Sequence, residues 1–285
     1  MAMSVRQIRL QFLGTRGEIE LRSRRHCWHS ALLVQIQEAR VVLDCGADWL
    51  GRVARLRPSA IVLTHAHPDD AVGLADGAPC PVYATAETWD RIGGYPIAKR
   101  RTIEAGQRLR LGSVTWQAFE LAHSIRAPAV GYRLTAGRTA MFYAPDVAAI
   151  LDQKTALDRM MLYIGDGASI VRPLLRRRGE IAIGHASIRA QLVWCQTEGV
   201  TRAVFTHCGS QIVGADGRSV AARIRRLGRE HGVAARIAHD GLSFIVNRRQ
   251  WSAFDPHQCA PRQTPIGRPQ SNRLSANDSG VRQCG

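Results

Sequence analysis

Within six positions the chain carries four groups able to bind a cation: His65, His67, Asp69 and Asp70, at the end of the hydrophobic run of residues 60–63 and just beyond it. In extended chain, residues two apart point the same way, so His65 and His67 can reach one ion while Ala66 points elsewhere. Pro68 then turns the chain. Asp69 and Asp70 fall where a helix would begin, a place where free N–H groups and the helix dipole stabilise carboxylates. An isolated H-x-H is commoner as a pair of solvated histidines than as a metal site, so the weight rests on the whole run.

The elements that must position these groups are legible from hydrophobic patterning. Short strand-like runs occur at residues 8–13, 31–36, 41–43, 60–63, 82–84, 114–121, 130–134 and 139–143, mostly divided by Gly, Pro, Asp or charged turns. The second half alternates helical segments (147–157, 187–198, 218–231) with strands (160–164, 202–206, 236–237, 242–246). This predicts an α/β fold with sheets flanked by helices, over residues 1–249. From about residue 250 to 285 the chain is rich in Pro, Gln, Ser, Asn and Gly without periodicity, the composition of a disordered polar tail.

Composition sets outer bounds. With 285 residues, 45% of them hydrophobic, the chain can bury a core. No apolar run approaches the ~20 residues of a membrane span, and the N-terminal residues alternate instead of forming a secretory signal. These features predict a cytoplasmic protein with no membrane partner. Seven scattered cysteines without a C-x-x-C pair read as reduced thiols. The net charge is +16, and all but two of the 39 basic residues are arginine. That excess suits phosphate-bearing ligands or nucleic acid, although an arginine-rich solvated surface is an equal reading.

The run through His65 and Asp70 resembles the H-x-H-x-D-H hallmark of the metallo-β-lactamase superfamily, whose later motifs are a distant His, an Asp and a final His. The chain supplies His123, Asp146 and His207 in that order, and Phe12–Thr15 and Val41–Gly46 resemble the family's opening strands and the Asp-bearing turn that supports its site. The resemblance covers residues 6–246. It implies an αββα sandwich: two mixed sheets packed face to face, helices outside, and a metal site at their edge.

Within the superfamily the chain is most similar to phosphodiesterases, namely ribonuclease Z and the phosphoribosyl cyclic phosphodiesterase of phosphonate breakdown. Gly184, His185 and Ser187 resemble a motif those enzymes place beside the scissile phosphate, at the start of a helix. Pro128, Gly131, Tyr132 and Arg133 resemble another of their motifs. Only 23 residues separate His123 from Asp146, too few for the long basic arm of ribonuclease Z.

The resemblance implies two divalent ions, Mn or Zn. One would be held by His65, His67, His123 and Asp146, the other by Asp69, Asp146, His207 and Asp70, which stands where the family has histidine. That carboxylate makes the second position harder and shifts preference toward manganese. The implied reaction is phosphodiester hydrolysis by a metal-activated hydroxide that Asp69 orients, with His185 protonating the leaving group and Arg126 reaching the substrate phosphate. A cyclic sugar or nucleotide phosphate and a nucleic acid both fit as substrates. A thioester or lactone hydrolase of the same fold, or a nucleic-acid-binding module without catalysis, are the alternatives. Relatives often form dimers, so a homodimer is the expected assembly.

Other residues have blander readings. Arg16, Arg22, Arg24 and Arg25 fall in a loop that could line the cleft, or be solvated. His26 and His29, flanking Trp28 near the expected cleft edge, could touch substrate but read more simply as surface histidines, and His239 reads as structural. Chain alternation turns the Cys208 sulfur away from any ion. The arginine runs at 176–178 and 223–229 could follow a nucleic-acid backbone, although single helical faces with several arginines are commoner as solvent faces.

Overall fold

The computed structural model describes residues 7–179 and 181–246, so the tail expected over 250–285 lies outside the described residues. The first half of the chain forms β1 (Ile8–Gly14), β2 (Ala31–Ile36), β3 (Ala39–Leu43), β4 (Ala60–Val62), α1 (Pro68–Ala71), β5 (Val82–Ala84), α2 (Ala86–Arg91), β6 (Arg100–Thr102), β7 (Arg108–Leu111), β8 (Val114–Ala122), β9 (Ala129–Ala136) and β10 (Thr139–Tyr143). The second half forms β11 (Ala149–Ile150), α3 (Gln153–Leu157), β12 (Leu162–Asp166), β13 (Leu174–Arg178), β14 (Ile181–His185), α4 (Ile188–Thr197), β15 (Arg202–Thr206), α5 (Ser210–Val213), α6 (Gly217–Glu230), β16 (Ala234–Ile237) and β17 (Ser243–Val246).

Two mixed sheets result. One runs in the order β17-β1-β2-β3-β4-β5-β6, and the other in the order β11-β8-β9-β10-β12-β15-β16 with β7 beside β8. The final strand returns to pair with β1, Ile8 opposite Val246, so the two ends of the domain are stitched together. Hydrogen bonds cross between the sheets: Tyr132 donates to the Leu63 carbonyl at 2.7 Å and Tyr143 to Asp44 at 3.0 Å. Both tyrosines are fully buried, where a phenol needs such a partner.

Helices cover the outer faces. Ile188, Gln191, Leu192 and Cys195 recur at three- and four-residue intervals along α4 and are buried, and Val220, Ile224 and Leu227 do the same in α6. Both helices start at capped ends, Ser187 accepting from the Ala190 N–H and Asp216 from that of Ser219. Their apolar faces join Phe142, Tyr163 and Phe205 in one core, while Leu33, Ile61, Leu63, Leu74 and Trp89 form another under α1 and α2. No helix among the described residues is long and apolar enough to cross a membrane.

Two element expectations are corrected. The helix expected over 147–157 is instead the short strand β11 and the five-residue α3, because Asp152 caps a new helix start and splits the segment. The arginine run at 176–178 lies on a strand, where pairing with β14 overrides its helix-compatible composition. By contrast, Arg223, Arg225, Arg226 and Arg229 do occupy the exposed face of α6.

Candidate metal centre and active site

The strand β4 ends at Val62, and His65 and His67 follow three and five residues on, with His67 in extended conformation. His67 then caps α1, with Pro68 in the first turn and Asp69 and Asp70 behind it. His65 Nε2, His67 Nδ1 and His123 Nε2 converge, with His67 Nδ1 3.0 Å from His65 Nε2 and 3.2 Å from His123 Nε2. Asp146 Oδ1 lies 3.8 Å from His123 Nε2 and 3.1 Å from His207 Nε2, which is itself 2.8 Å from Asp69 Oδ2. Asp70 Oδ2 lies 3.5 Å from His65 Nε2.

The seven residues therefore meet in one place. Their donor atoms fall into groups within 4.8 Å of one another, among them His65, His67 and His123, then His65, Asp70 and Asp146, and then Asp69, Asp70 and His207. Asp70 belongs to two of these groups.

The centre is poorly satisfied by protein alone. Both carboxylate oxygens of Asp70, Oδ2 of Asp146 and Nδ1 of His207 are buried without a hydrogen-bond partner. Such groups carry a desolvation cost that a cation would offset. Burial, reinforced by the charges of Asp69, Asp146 and Asp44, drives the Asp70 carboxyl well above its usual range. Burial likewise pushes Asp146 up to about 8, while burial and then the neighbouring His185 bring His123 down to about 3. On His207 burial opposes charge, but the carboxylates of Asp146 and Asp69 outweigh it and raise its pKa to about 10. Packed imidazoles and carboxylates that disturb one another so strongly form the donor set a divalent metal requires, and these residues fit one.

Neighbouring groups fix which ring atom each histidine presents. Thr64 Oγ donates to Asp44 at 2.9 Å, so it accepts from Nδ1 of His65 at 3.0 Å and leaves Nε2 for the centre. The Gly184 carbonyl, 3.0 Å from Nδ1 of His123, has the same effect. His207 has a positive φ of 52°, a strained backbone that a functional site can sustain. Gly17 makes room for its ring: a Cβ there would lie 2.8 Å from Cε1.

His185 ends β14 and Ser187, two residues on, caps α4, so the motif closes a strand and opens a helix as expected. Its Nδ1 lies 2.7 Å from Asp166 Oδ2 and 3.8 Å from Asp146 Oδ1. Burial disfavours charge on His185, but Asp166 prevails and raises its pKa. Asp166 is a site residue that spacing does not expose, because nothing in the sequence ties it to a histidine 19 positions away. Gln191 holds it in turn: its Nε2 donates to the Asp166 carbonyl at 2.8 Å, and its Oε1 accepts from the Asp166 N–H at 2.9 Å. Glu18 is a second such residue: partial burial and then the neighbouring Asp69 push the pKa of its carboxyl up.

Other expected residues lie elsewhere. Arg126 is exposed in the loop after His123. Arg16 neither lines the cleft nor is solvated: it is 2% exposed and pairs with Asp48 at 2.7 Å, which also accepts from Arg22 at 2.9 Å. His26 and His29 are buried, not on the surface, His26 against Thr15 Oγ at 2.8 Å and His29 against Asp48 at 3.0 Å. The residue after His239, Asp240, accepts from the Cys27 and Trp28 N–H groups at 2.7 and 3.0 Å. Cys208 lies in the core under α4 and α6.

Residues 39–208, which span the candidate ligands from His65 to His207, match the family described as the beta-lactamase superfamily domain. The chain belongs to that family. No curated protein sequence matches it. Among solved structures it is similar to the metallo-beta-lactamase fold protein YhfI from Bacillus subtilis, at 16% identity and a TM-score of 0.65, covering 85% of this chain and 100% of that one. A diphosphatase from the PhnP family gives 18% identity and a TM-score of 0.65 over 84% of this chain and 97% of the other. The short form of human tRNase Z gives 16% and 0.57 over 83% and 98%. At these identities the likeness establishes the metallo-β-lactamase fold, in agreement with the two-sheet architecture.

Proposed function

We propose that this protein is a phosphodiesterase that depends on two divalent ions. His65, His67, His123 and Asp146 would hold one ion, and Asp69, Asp70, Asp146 and His207 the other. When bound, such ions neutralise phosphate oxygens and lower the pKa of the attacking water. Three carboxylates and one imidazole make the second position harder than the first, which favours manganese there.

The observation that carries the reading is the pairing of His185 with Asp166 beside the ligand cluster. Asp166 accepts from Nδ1, so Nε2 is the ring atom left to pass a proton to the departing sugar oxygen. The buried carboxylate also stabilises the imidazolium, so the ring holds that proton more firmly than a free imidazole would. Asp69, on the first turn of α1, would orient the attacking water, and Arg126, exposed in the loop after His123, would reach the substrate phosphate. A group that protonates a leaving oxygen suits phosphodiesters better than thioesters, whose thiolate departs unaided. Likeness to a PhnP-family diphosphatase and to tRNase Z supports the same class. The described cysteines are all free thiols, which suits a cytoplasmic location.

The test is hydrolysis of bis(p-nitrophenyl) phosphate by metal-stripped protein reconstituted with Mn²⁺, Zn²⁺ or Mg²⁺. Turnover that disappears in Asp146→Ala supports the proposal. Absence of turnover with every metal in a folded, metal-loaded protein refutes it.

A further inference from the structure

Among the described residues, strands β13 and β14 pair only with each other, from Leu174 opposite His185 to Arg178 opposite Ile181. His123 anchors the base of this hairpin through Gly184, and His185 is its last residue. Beyond the base, Leu174 and Leu175 are 52% and 43% exposed, and Arg176 and Arg177 are exposed as well. Alternation along the strand sets Leu174 and Arg176 on the face that carries His185, the cross-strand partner of Leu174, and Leu175 and Arg177 on the opposite face. Between Asp166 and Glu198 the sequence holds five arginines (172, 176, 177, 178 and 189) and a single acid, Glu180.

Adjacent exposed leucines are unfavourable in water, and clustered guanidinium groups repel one another. Both costs fall when a ligand with apolar surface and negative charge lies across the hairpin. The position of His185 says which part of a substrate that would be. The group that protonates the leaving oxygen defines the leaving-group side, so whatever continues from that oxygen extends over β13 and β14. Arg176 lies two residue pairs beyond the Leu174–His185 pair, about 7 Å along the strand. A cyclic sugar phosphate, whose leaving oxygen stays within one small ring system, has nothing to place there. A polynucleotide has both a base and a further phosphate.

Resting on the phosphodiesterase reading, we propose that the β13–β14 hairpin is the platform for the leaving-group half of a single-stranded nucleic acid. On the face shared with His185, Leu174 would take a base or sugar and Arg176 the phosphate beyond it. The chemistry is ordinary hydrolysis: the water oxygen bonds to phosphorus, the bond from phosphorus to the sugar oxygen breaks, and that oxygen leaves with the proton from His185.

The experiment compares the wild-type full-length chain with R176E, altered on the face of His185, and with R176Q as a milder second variant. Fluorescence anisotropy measures binding of short labelled single-stranded RNA and, in a parallel arm, DNA, without added metal, from about 50 to 200 mM salt. Hydrolysis of bis(p-nitrophenyl) phosphate is measured on the metal-loaded proteins. The expected result is a Kd for at least one strand type raised about tenfold or more, with a salt dependence shallower by about 0.7 for the phosphate that Arg176 no longer neutralises. Small-substrate turnover should be unchanged. A strand Kd indifferent to both variants overturns the platform, as does a wild-type protein that binds neither strand. A shift from dimer to monomer in L174S/L175S with unchanged strand binding also overturns it, assigning the hairpin to a second copy of the chain. Failure of bis(p-nitrophenyl) phosphate turnover alone would refute the phosphodiesterase reading and is scored separately from strand binding.

Discussion

His123 and Gly184 exchange two hydrogen bonds across 61 positions of sequence: the Gly184 N–H donates to the His123 carbonyl at 2.7 Å, and Nδ1 of the His123 ring donates to the Gly184 carbonyl at 3.0 Å. A carbonyl can only accept, so the second bond fixes the ring tautomer and presents Nε2 to the other ligands. The same residue pair docks β14, and with it His185, against the metal centre. Ligand geometry and proton-donor position thus depend on one pair of residues.

Gly184 adopts a φ of 113°, and a Cβ there would collide with the Leu174 carbonyl. Gly184→Ala should therefore move the hairpin and loosen His123. Metal affinity should fall about 10–100-fold, the usual cost of losing a group that orients a ligand. Chelator competition measures it; unchanged affinity in a folded variant would detach the hairpin from the centre.

Replacing His185 should separate substrates by leaving group. p-Nitrophenolate is stable as an anion and departs without a proton, whereas a sugar alkoxide does not. His185→Ala should lower kcat on a 2′,3′-cyclic nucleotide by about 10²–10⁴-fold while affecting bis(p-nitrophenyl) phosphate much less. Asp166→Asn should show the same split more weakly, because it frees the ring without removing it. Equal losses on both substrates would assign His185 to architecture.

Asp70 gives a prediction of opposite signs. Its carboxylate is fully buried without a hydrogen-bond partner, among Asp69, Asp146 and Asp44. In ion-free protein Asp70→Asn removes that conflict, and Tm should rise by about 2–4 °C for each kcal/mol relieved. The rise in Tm on adding Mn²⁺ should shrink, because one donor is weakened. Asp70→His should move the ratio of Mn²⁺ to Zn²⁺ affinity toward zinc, as titration calorimetry would read.

The Arg16–Asp48 pair holds the loop that carries Gly17 to the His207 ring. Asp48→Ala leaves a 2%-exposed guanidinium without its carboxylate. Removing one partner of a buried pair typically costs about 3–5 kcal/mol, so the urea midpoint should fall sharply. A shift within the range of ordinary surface substitutions would contradict that role.

What the sequence discloses and what it hides follow from how far each interaction reaches. His65, His67, Asp69 and Asp70 can be read together because a strand end and a helix start present them within six residues, and the strands at 31–36, 82–84, 139–143 and 202–206 have the bounds that patterning assigns them. The hairpin β13–β14 is hidden because its arginines and glycine lack strand alternation and become strand only by pairing. The Asp166–His185 bond and the Gln191 brace are tertiary, made by side chains whose local sequence resembles any other core segment. Arg16, His26 and His29 depart from their expected places for a related reason: polar residues in a loop read as solvated unless the partners that bury them, Asp48 and Thr15, are known.

The most direct test of the phosphodiesterase assignment compares one metal-loaded preparation on phosphodiester, thioester and lactone substrates, with kcat/KM as the readout. A phosphodiester should be the preferred substrate, and its turnover should be lost in Asp146→Ala. A thioester or lactone hydrolysed more efficiently than any phosphodiester would contradict the assignment.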